Sequence, residues 1–485
     1  MESATETTAA DDRPQTPAPS EGARSRLRRR VLVGVLGGCL VLGGVLLFLP
    51  VLPGEQPARR PAPPGPAPGA QAHAAVRTGV AAALPDLVSL IDERETHLRK
   101  HPRDAQSWAV LGAAYVEQGR RTADAVRYPR AERALRTSLD VRPRGNAEAL
   151  DGLAALANAR RDFPAARDWA EAARELAPKR WTTYPLLIDA YTGLGDYKKA
   201  RAALDTLMKL HSGPAVLGRA AAVYWEQGWR EDAAAALSDA AAGASTPAEE
   251  AAWRERAGQL AWERGDLRTA LRHFQQAVHL DPDQRAAQAG RGRTLAALGR
   301  SSEALSAYQA ALAGQPLPQY VLELGELYES LRMTQKARVQ YDLLRERVRL
   351  DTAGGVDQEL LLGQFEADHG DPQTAVRRLR AEWRRQPGIA VADALGWALH
   401  RAGQDKEALK FAAIATDRAK GGGVRSAPYS YHLGMIEFGL KRYGPARRHL
   451  QEALRINPHF SPLHVPRARA ALTQLGEPAM KDVPS

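Results

Sequence analysis

A chain of 485 residues with 44% hydrophobic and 25% charged residues has a globular composition, while aromatics make up only 6% and alanine is abundant, a mix suited to helices packed through small side chains. The single cysteine, Cys39, excludes an intramolecular disulfide and a cysteine-based zinc site. The formal charge of +11 is arginine scattered along the whole chain, as easily a coding bias as a binding signal, so no nucleic-acid partner is expected.

Residues 1–30 begin polar, with too little apolar content to bury, and read as a disordered tail ending in a basic cluster of Arg24, Arg26, Arg28, Arg29 and Arg30. Residues 31–49, VLVGVLGGCLVLGGVLLFL, carry no charge and no proline. At about 1.5 Å per residue this run spans a ~30 Å hydrocarbon core and is expected to be a transmembrane helix. A cleavable signal peptide would be shorter and followed at once by a small-x-small site, whereas the nearest, Ala70-Gln71-Ala72, lies far beyond. A lipoprotein should turn polar after its cysteine, but apolar positions continue past Cys39. The arginines before the segment, against Arg59 and Arg60 after it, place the amino terminus in the cytoplasm and the rest outside. Residues 50–83 are dominated by proline and alanine and read as an extended spacer, with the folded part beginning near Leu84.

From there apolar residues recur at helical spacing, and a pattern repeats with a period near 34. Ala270, Phe274, Ala277 and Pro282 recur as Ala304, Tyr308, Ala311 and Pro316, and again as Ala166, Ala170, Ala173 and Pro178. The sets Ala131, Leu135, Ser138, Pro143 and Ala446, Leu450, Ala453, Pro458 keep the same spacing. Each follows a first helix with its own signposts, such as Trp108, Leu111, Gly112 and Tyr115, or Leu324, Gly325 and Tyr328. A small residue at positions 8 and 20 lets two helices approach, a large one at position 24 fills the space beyond, and a proline near position 32 ends the second helix.

This pattern resembles the tetratricopeptide repeat family. The resemblance implies an all-α fold: an α-solenoid, a right-handed superhelix of stacked antiparallel helix pairs, here with one N-terminal transmembrane helix. Ten repeats start near Ala105, Ala147, Trp181, Pro214, Ala251, Arg285, Pro318, Val356, Ile389 and Ala427. With capping helices before and after, the solenoid is expected over 84–476 and a disordered end over 477–485. The first repeat carries extra residues around RRTADAVRYP, and insertions should map to loops.

Candidate chemistry is sparse. His273 and His279 lie about 120° apart on a helix and cannot share a metal, so they and Asp281 read as incidental. His97 and His101 have i,i+4 spacing but lack the intervening glutamate and a third ligand. GGGVRS at Gly421 lacks the end of a phosphate loop, and no Gly-x-Ser-x-Gly elbow occurs. No catalytic residue, cofactor or metal is expected, and the chain reads as a non-enzyme.

The family resemblance implies a concave face lined by first-helix positions 2, 5, 9, 12 and 13, where a peptide or partner helix lies. The carboxylate-clamp subgroup needs Asn at position 9, which none of the ten repeats has. Aromatics stand there instead: Trp225, Trp262 and Phe438 at position 12, Trp397 at position 9 and Tyr431 at position 5. They are either partner-binding anchors or packing against an adjacent repeat. Arg377, Arg378, Arg380, Arg384 and Arg385, with Arg447 and Arg448, form a basic surface that is either a solvated face or a contact for anionic lipid or wall polymer. The expectation is a membrane-anchored scaffold or adaptor binding a protein or peptide outside the cell membrane. The alternatives are an extracytoplasmic binding module for a wall polymer or lipid, and a cytoplasmic-facing assembly factor.

Overall fold

The structure, a computed structural model, describes residues 67–313, 317–417 and 423–476. The apolar segment 31–49, the terminal segments 1–30 and 477–485, and the start of the GGGVRS loop lie outside them, and among the described residues no helix is long and apolar enough to cross a membrane.

Twenty-three helices and no strands make up the described residues. They pair as α1 (Pro68–Thr78) with α2 (Leu84–Lys100), α3 (Ala105–Thr122) with α4 (Arg127–Val141), and α5 (Ala147–Ala159) with α6 (Phe163–Leu176). Next come α7 (Thr183–Gly193) with α8 (Tyr197–Leu210), α9 (Pro214–Glu226) with α10 (Arg230–Ala242), and α11 (Pro247–Glu263) with α12 (Leu267–Leu280). The series continues with α13 (Arg285–Ala297) and α14 (Ser301–Ala311), α15 (Pro318–Ser330) and α16 (Thr334–Ala353), and α17 (Glu359–His369) and α18 (Pro372–Arg385). It closes with α19 (Ile389–Arg401) and α20 (Asp405–Thr416), α21 (Ala427–Gly439) and α22 (Tyr443–Ile456), and the single helix α23 (His464–Leu475).

The repeat signposts do the packing the periodicity assigns to them. A Cβ at Gly258 would come 2.8 Å from the Phe274 ring, one at Gly292 2.8 Å from Tyr308, and one at Gly434 2.9 Å from Leu450. In each pair the position-8 glycine makes room for the position-24 side chain of its own repeat. The position-20 alanines Ala131, Ala166, Ala270, Ala304, Ala375, Ala408 and Ala446 are completely buried. Asp162, Asp196 and Asp266 cap the second helices α6, α8 and α12 by accepting a backbone N–H three residues on. Pro143, Pro178, Pro282 and Pro458 each stand two residues past the end of a second helix.

The spacer and the leading capping helix need correction. Helix α1 lies inside the segment 50–83 expected to be extended, and it turns the isolated helix α2 into a full pair. Its sequence PGAQAHAAVRT places proline in the first turn, then runs without another; Gly69, Ala72 and Ala75 form one buried face, and Gly79, in the left-handed conformation, ends it. Eleven pairs therefore precede α23.

The solenoid coils tightly enough for its turns to touch. The Arg160 carbonyl accepts from the Asp357 N–H at 2.8 Å, Arg160 Nε donates to the Gly354 carbonyl at 3.1 Å, and the Phe163 N–H donates to Gln386 Oε1 at 3.3 Å. The Ile389 N–H donates to Tyr197 Oη at 3.3 Å, Arg230 donates to the Arg425 carbonyl, and buried Asn457 Nδ2 donates to the Trp262 carbonyl at 2.8 Å. Several of these partners are 192, 194 or 195 residues apart. Among these four the separation is nearly constant because the turn inside one pair meets the loop between two pairs one superhelical revolution later, between five and six 34-residue repeats along.

Candidate functional site

The resemblance puts first-helix positions 5, 9 and 13 on the concave face, and charged side chains at these positions and at position 6 form the candidate site. Several ion pairs span adjacent repeats: Arg219 to Asp189 at 2.6 Å, and Arg293 to Glu323 at 2.9 Å with Gln259 at 2.7 Å. Others on the same face remain unmatched. Glu226, Glu255 and Arg256 are half-buried and make no hydrogen bond or ion pair among the described residues, although Arg256 lies over the Trp253 ring, 5.0 Å from its centroid. Glu263 only accepts from Gln259 Nε2 at 2.8 Å.

Enclosure shows in the electrostatics. Burial pushes the Glu226 carboxyl up to about 7, and burial does the same to Glu263 against a weaker opposing hydrogen bond from Gln259. Burial also raises Glu255, and it lowers Arg256 to about 10 with help from nearby Arg219. A pocket of about 490 Å³ opens from this face between α13, α15 and the chain leading into α23; Trp262, Arg293, Glu323, Phe460, Pro462 and Arg469 line it.

The aromatic row is not an open row. Trp262, Trp397 and Tyr431 are buried, with Tyr431 wholly inaccessible, while Trp225 and Phe438 are half-buried. Trp397 Nε1 donates to Asp368 Oδ1 at 3.1 Å, and its ring stacks on His432 at 4.4 Å. Tyr431 is sandwiched by Trp397, Phe460 and His464, so α23 and its lead-in cover both aromatics. The next superhelical turn reaches Trp262 at its main-chain carbonyl, which accepts from Asn457 Nδ2 at 2.8 Å. The aromatic pattern in the sequence marks positions, but it carries no information about which of them a later turn of the chain will cover.

Two Asp–His pairs tie this end together: His432 Nδ1 with Asp393 at 2.9 Å and His464 Nε2 with Asp368 at 3.4 Å. Among the described residues no group of three or more His, Cys, Asp or Glu is arranged to hold a metal ion. Of the two histidines before Asp281, His279 is exposed and His273 half-buried, whereas Asp281 is buried against Arg121 at 2.6 Å. Asp281, read as incidental, is thus the partner of a buried cation 160 residues away. His97 pairs with Asp104 at 3.0 Å, and the His97 and His101 rings lie 4.5 Å apart. The basic surface is largely spent internally: Arg378 on Glu359 at 2.9 Å, Arg380 on Glu407 at 2.7 Å, and Arg447 on the Leu475 carbonyl at 2.8 Å.

Comparison with known proteins agrees on the repeat unit. Tetratricopeptide repeat family profiles match residues 255–321 and 291–344, and a second profile of the same description matches 427–460. No curated protein sequence matches the chain. Among solved structures the chain is similar to the human IFIT1 dimer with PPP-AAAA, at 18% identity and a TM-score of 0.45, covering 72% of this chain and 81% of that one. It is also similar to the APC/C hetero-tetramer Cut9-Hcn1, at 15% identity and a TM-score of 0.31, covering 84% of this chain and 95% of that one. Helix pairs built on position-8 glycines and position-24 side chains, together with the profile matches, identify tetratricopeptide repeats over residues 255–344 and 427–460.

Proposed function

We propose that the protein is a non-enzymatic scaffold that holds an extended protein or peptide segment along its concave face, and that the segment 31–49 anchors it to the cell membrane with the solenoid outside. The observation that carries this reading is the half-buried charge of Glu226, Glu255 and Arg256, which make no hydrogen bond or ion pair among the described residues. Half-buried charges without partners are costly in a free protein and gain most from a ligand that supplies counter-charges. A face built from the first helices of successive repeats favours a single extended strand or one helix over a globular partner. Burial of Trp262, Trp397 and Tyr431 weighs against a polymer-binding aromatic platform.

The test is photo-crosslinking from the full-length protein in its native cells, with the probe at Gln259 on the concave face or at exposed Gln276 on the opposite helix. A defined protein captured from Gln259 and lost with Glu226→Gln plus Glu255→Gln supports the proposal; equal capture from both probe positions would sink it. Protease treatment of intact cells tests the topology, because a protected solenoid means the chain faces the cytoplasm.

A further inference from the structure

A second cavity, of about 270 Å³, lies on the seam between superhelical turns and is independent of the concave-face reading. Its wall carries four arginines: Arg120 and Arg121 from the last turn of α3, Arg161 from the turn after α5, and Arg285 from the start of α13. The extra residues of the first repeat lengthen α3 to Thr122 and so deliver the first two to this seam.

Arg121 is only 7% exposed. Its Nη2 donates to Asp281 Oδ2 at 2.6 Å, but Nε and Nη1 are buried with no acceptor. Arg285 Nε is also buried with no acceptor. Idle donors on a buried guanidinium are unfavourable, and a planar fork of N–H groups matches the oxygens of a carboxylate or phosphate.

Arg161 adds a second signal. It has φ of 59° at the place where sister repeats put Gly195, Gly228, Gly265, Gly299 and Gly403, all at positive φ. A residue with a Cβ is disfavoured in that conformation. The guanidinium it brings is buried, which lowers its proton affinity, and among the described residues it hydrogen-bonds Gln358 Oε1 alone, at 3.5 Å. The carboxylates of the wall are largely committed: Asp281 to Arg121, and Asp351 to Gln358 Nε2 at 2.8 Å and Arg347 at 3.6 Å. Asp283 is exposed, and Arg120 is taken by Glu117 at 2.7 Å.

We propose that this cavity binds a tetrahedral oxyanion of the phosphate class, held by Arg121, Arg161 and Arg285 across the seam. Arg121 and Arg161 belong to the first revolution and Arg285 to a later repeat, so a bound anion joins them and favours the closed superhelix over an opened one.

Calorimetric titration of the full-length protein with inorganic phosphate, and separately with phosphoserine, at matched ionic strength tests this. Saturable binding at one site per chain is expected, with a phosphate-dependent rise in the thermal midpoint. Phosphoserine binding more than tenfold tighter than inorganic phosphate assigns the site to an esterified group; equal affinities assign it to the free anion. Arg161→Gly should lose at least tenfold in affinity while its phosphate-free midpoint holds or rises, because glycine relieves the backbone. Arg121→Lys keeps a cation opposite Asp281 but removes the fork, and should lose a similar factor. Arg332→Gly, which relieves the same conformation away from the cavity, should bind as wild type. Absence of saturable binding to the wild-type chain, or unchanged affinity in both Arg161→Gly and Arg121→Lys, would overturn the proposal.

Discussion

Arg161, Arg332 and Lys441 hold left-handed backbone at the end of a first helix, with φ of 59°, 60° and 59°. That conformation costs a residue with a Cβ about 1–2 kcal/mol, while glycine loses about 0.5–1 kcal/mol more in backbone freedom on folding. Arg332→Gly and Lys441→Gly should therefore each raise stability by about 0.5–1 kcal/mol, read as a shift of the urea midpoint at unchanged slope. The concave carboxylates act at the same scale through pH. Glu226 and Glu263 bind a proton up to about pH 7 when folded and only to about 4.5 when unfolded. Between those values the folded state holds more protons, so stability should fall as pH rises through that window and level off below it. Glu226→Gln plus Glu263→Gln should flatten the slope in urea titrations at stepped pH.

At the scale of the element, α12 is fixed to α11 and α13 by one side chain. Phe274 is completely buried and faces Gly258 of its own repeat and Gly290 of the next. Phe274→Ala should cost about 3–5 kcal/mol, because flanking glycines leave nothing to fill the cavity. Gly258→Ala drives a Cβ against the ring at 2.8 Å and should cost about 1–3 kcal/mol. This level of organisation was almost wholly legible in the sequence. The expected repeat starts at 105, 147, 214, 285, 318, 389 and 427 coincide with helix starts, because the periodic positions are the packing contacts. Helix α1 escaped because its buried face is built of Gly69, Ala72 and Ala75, which in a Pro/Ala-rich context look like spacer. The candidate site was legible only as positions. Concave placement follows from the repeat, but the burial of Trp397 and Tyr431 depends on α23, and the role of Asp281 depends on a residue 160 positions away. A 34-residue period does not encode such separations; the only trace of the seam cavity was arginine where sister repeats have glycine, and two arginines in an insertion.

At the scale of the whole molecule, the hydrogen bonds that join one turn to the next are few among the described residues, whereas the core within and between adjacent pairs is apolar packing. The seam should therefore open before the repeats unfold. Asn457 is 1% exposed and its Nδ2 meets the Trp262 carbonyl, so Asn457→Ala leaves that buried oxygen without its donor, at a cost of about 1–3 kcal/mol. Hydrogen exchange should quicken first at the other seam amides, those of Asp357, Phe163 and Ile389, with slower change in helix interiors such as α12 and α19. Uniform quickening along the whole chain would mean that the seam and the repeats melt as one unit.

The near-constant interval of 192 to 195 residues between the partners of four seam pairs also removes a freedom that repeat proteins usually have. An open array can gain or lose a unit and remain the same object, only longer or shorter. Here, excising one unit between Tyr197 and Ile389 would leave each neighbouring interface intact yet bring every seam pair that flanks the cut, Tyr197 and Ile389 among them, out of phase by a full 34 residues. The number of units in one revolution is thus part of the tertiary structure, and modular editing should be tolerated only beyond the paired stretch, at the two ends of the coil.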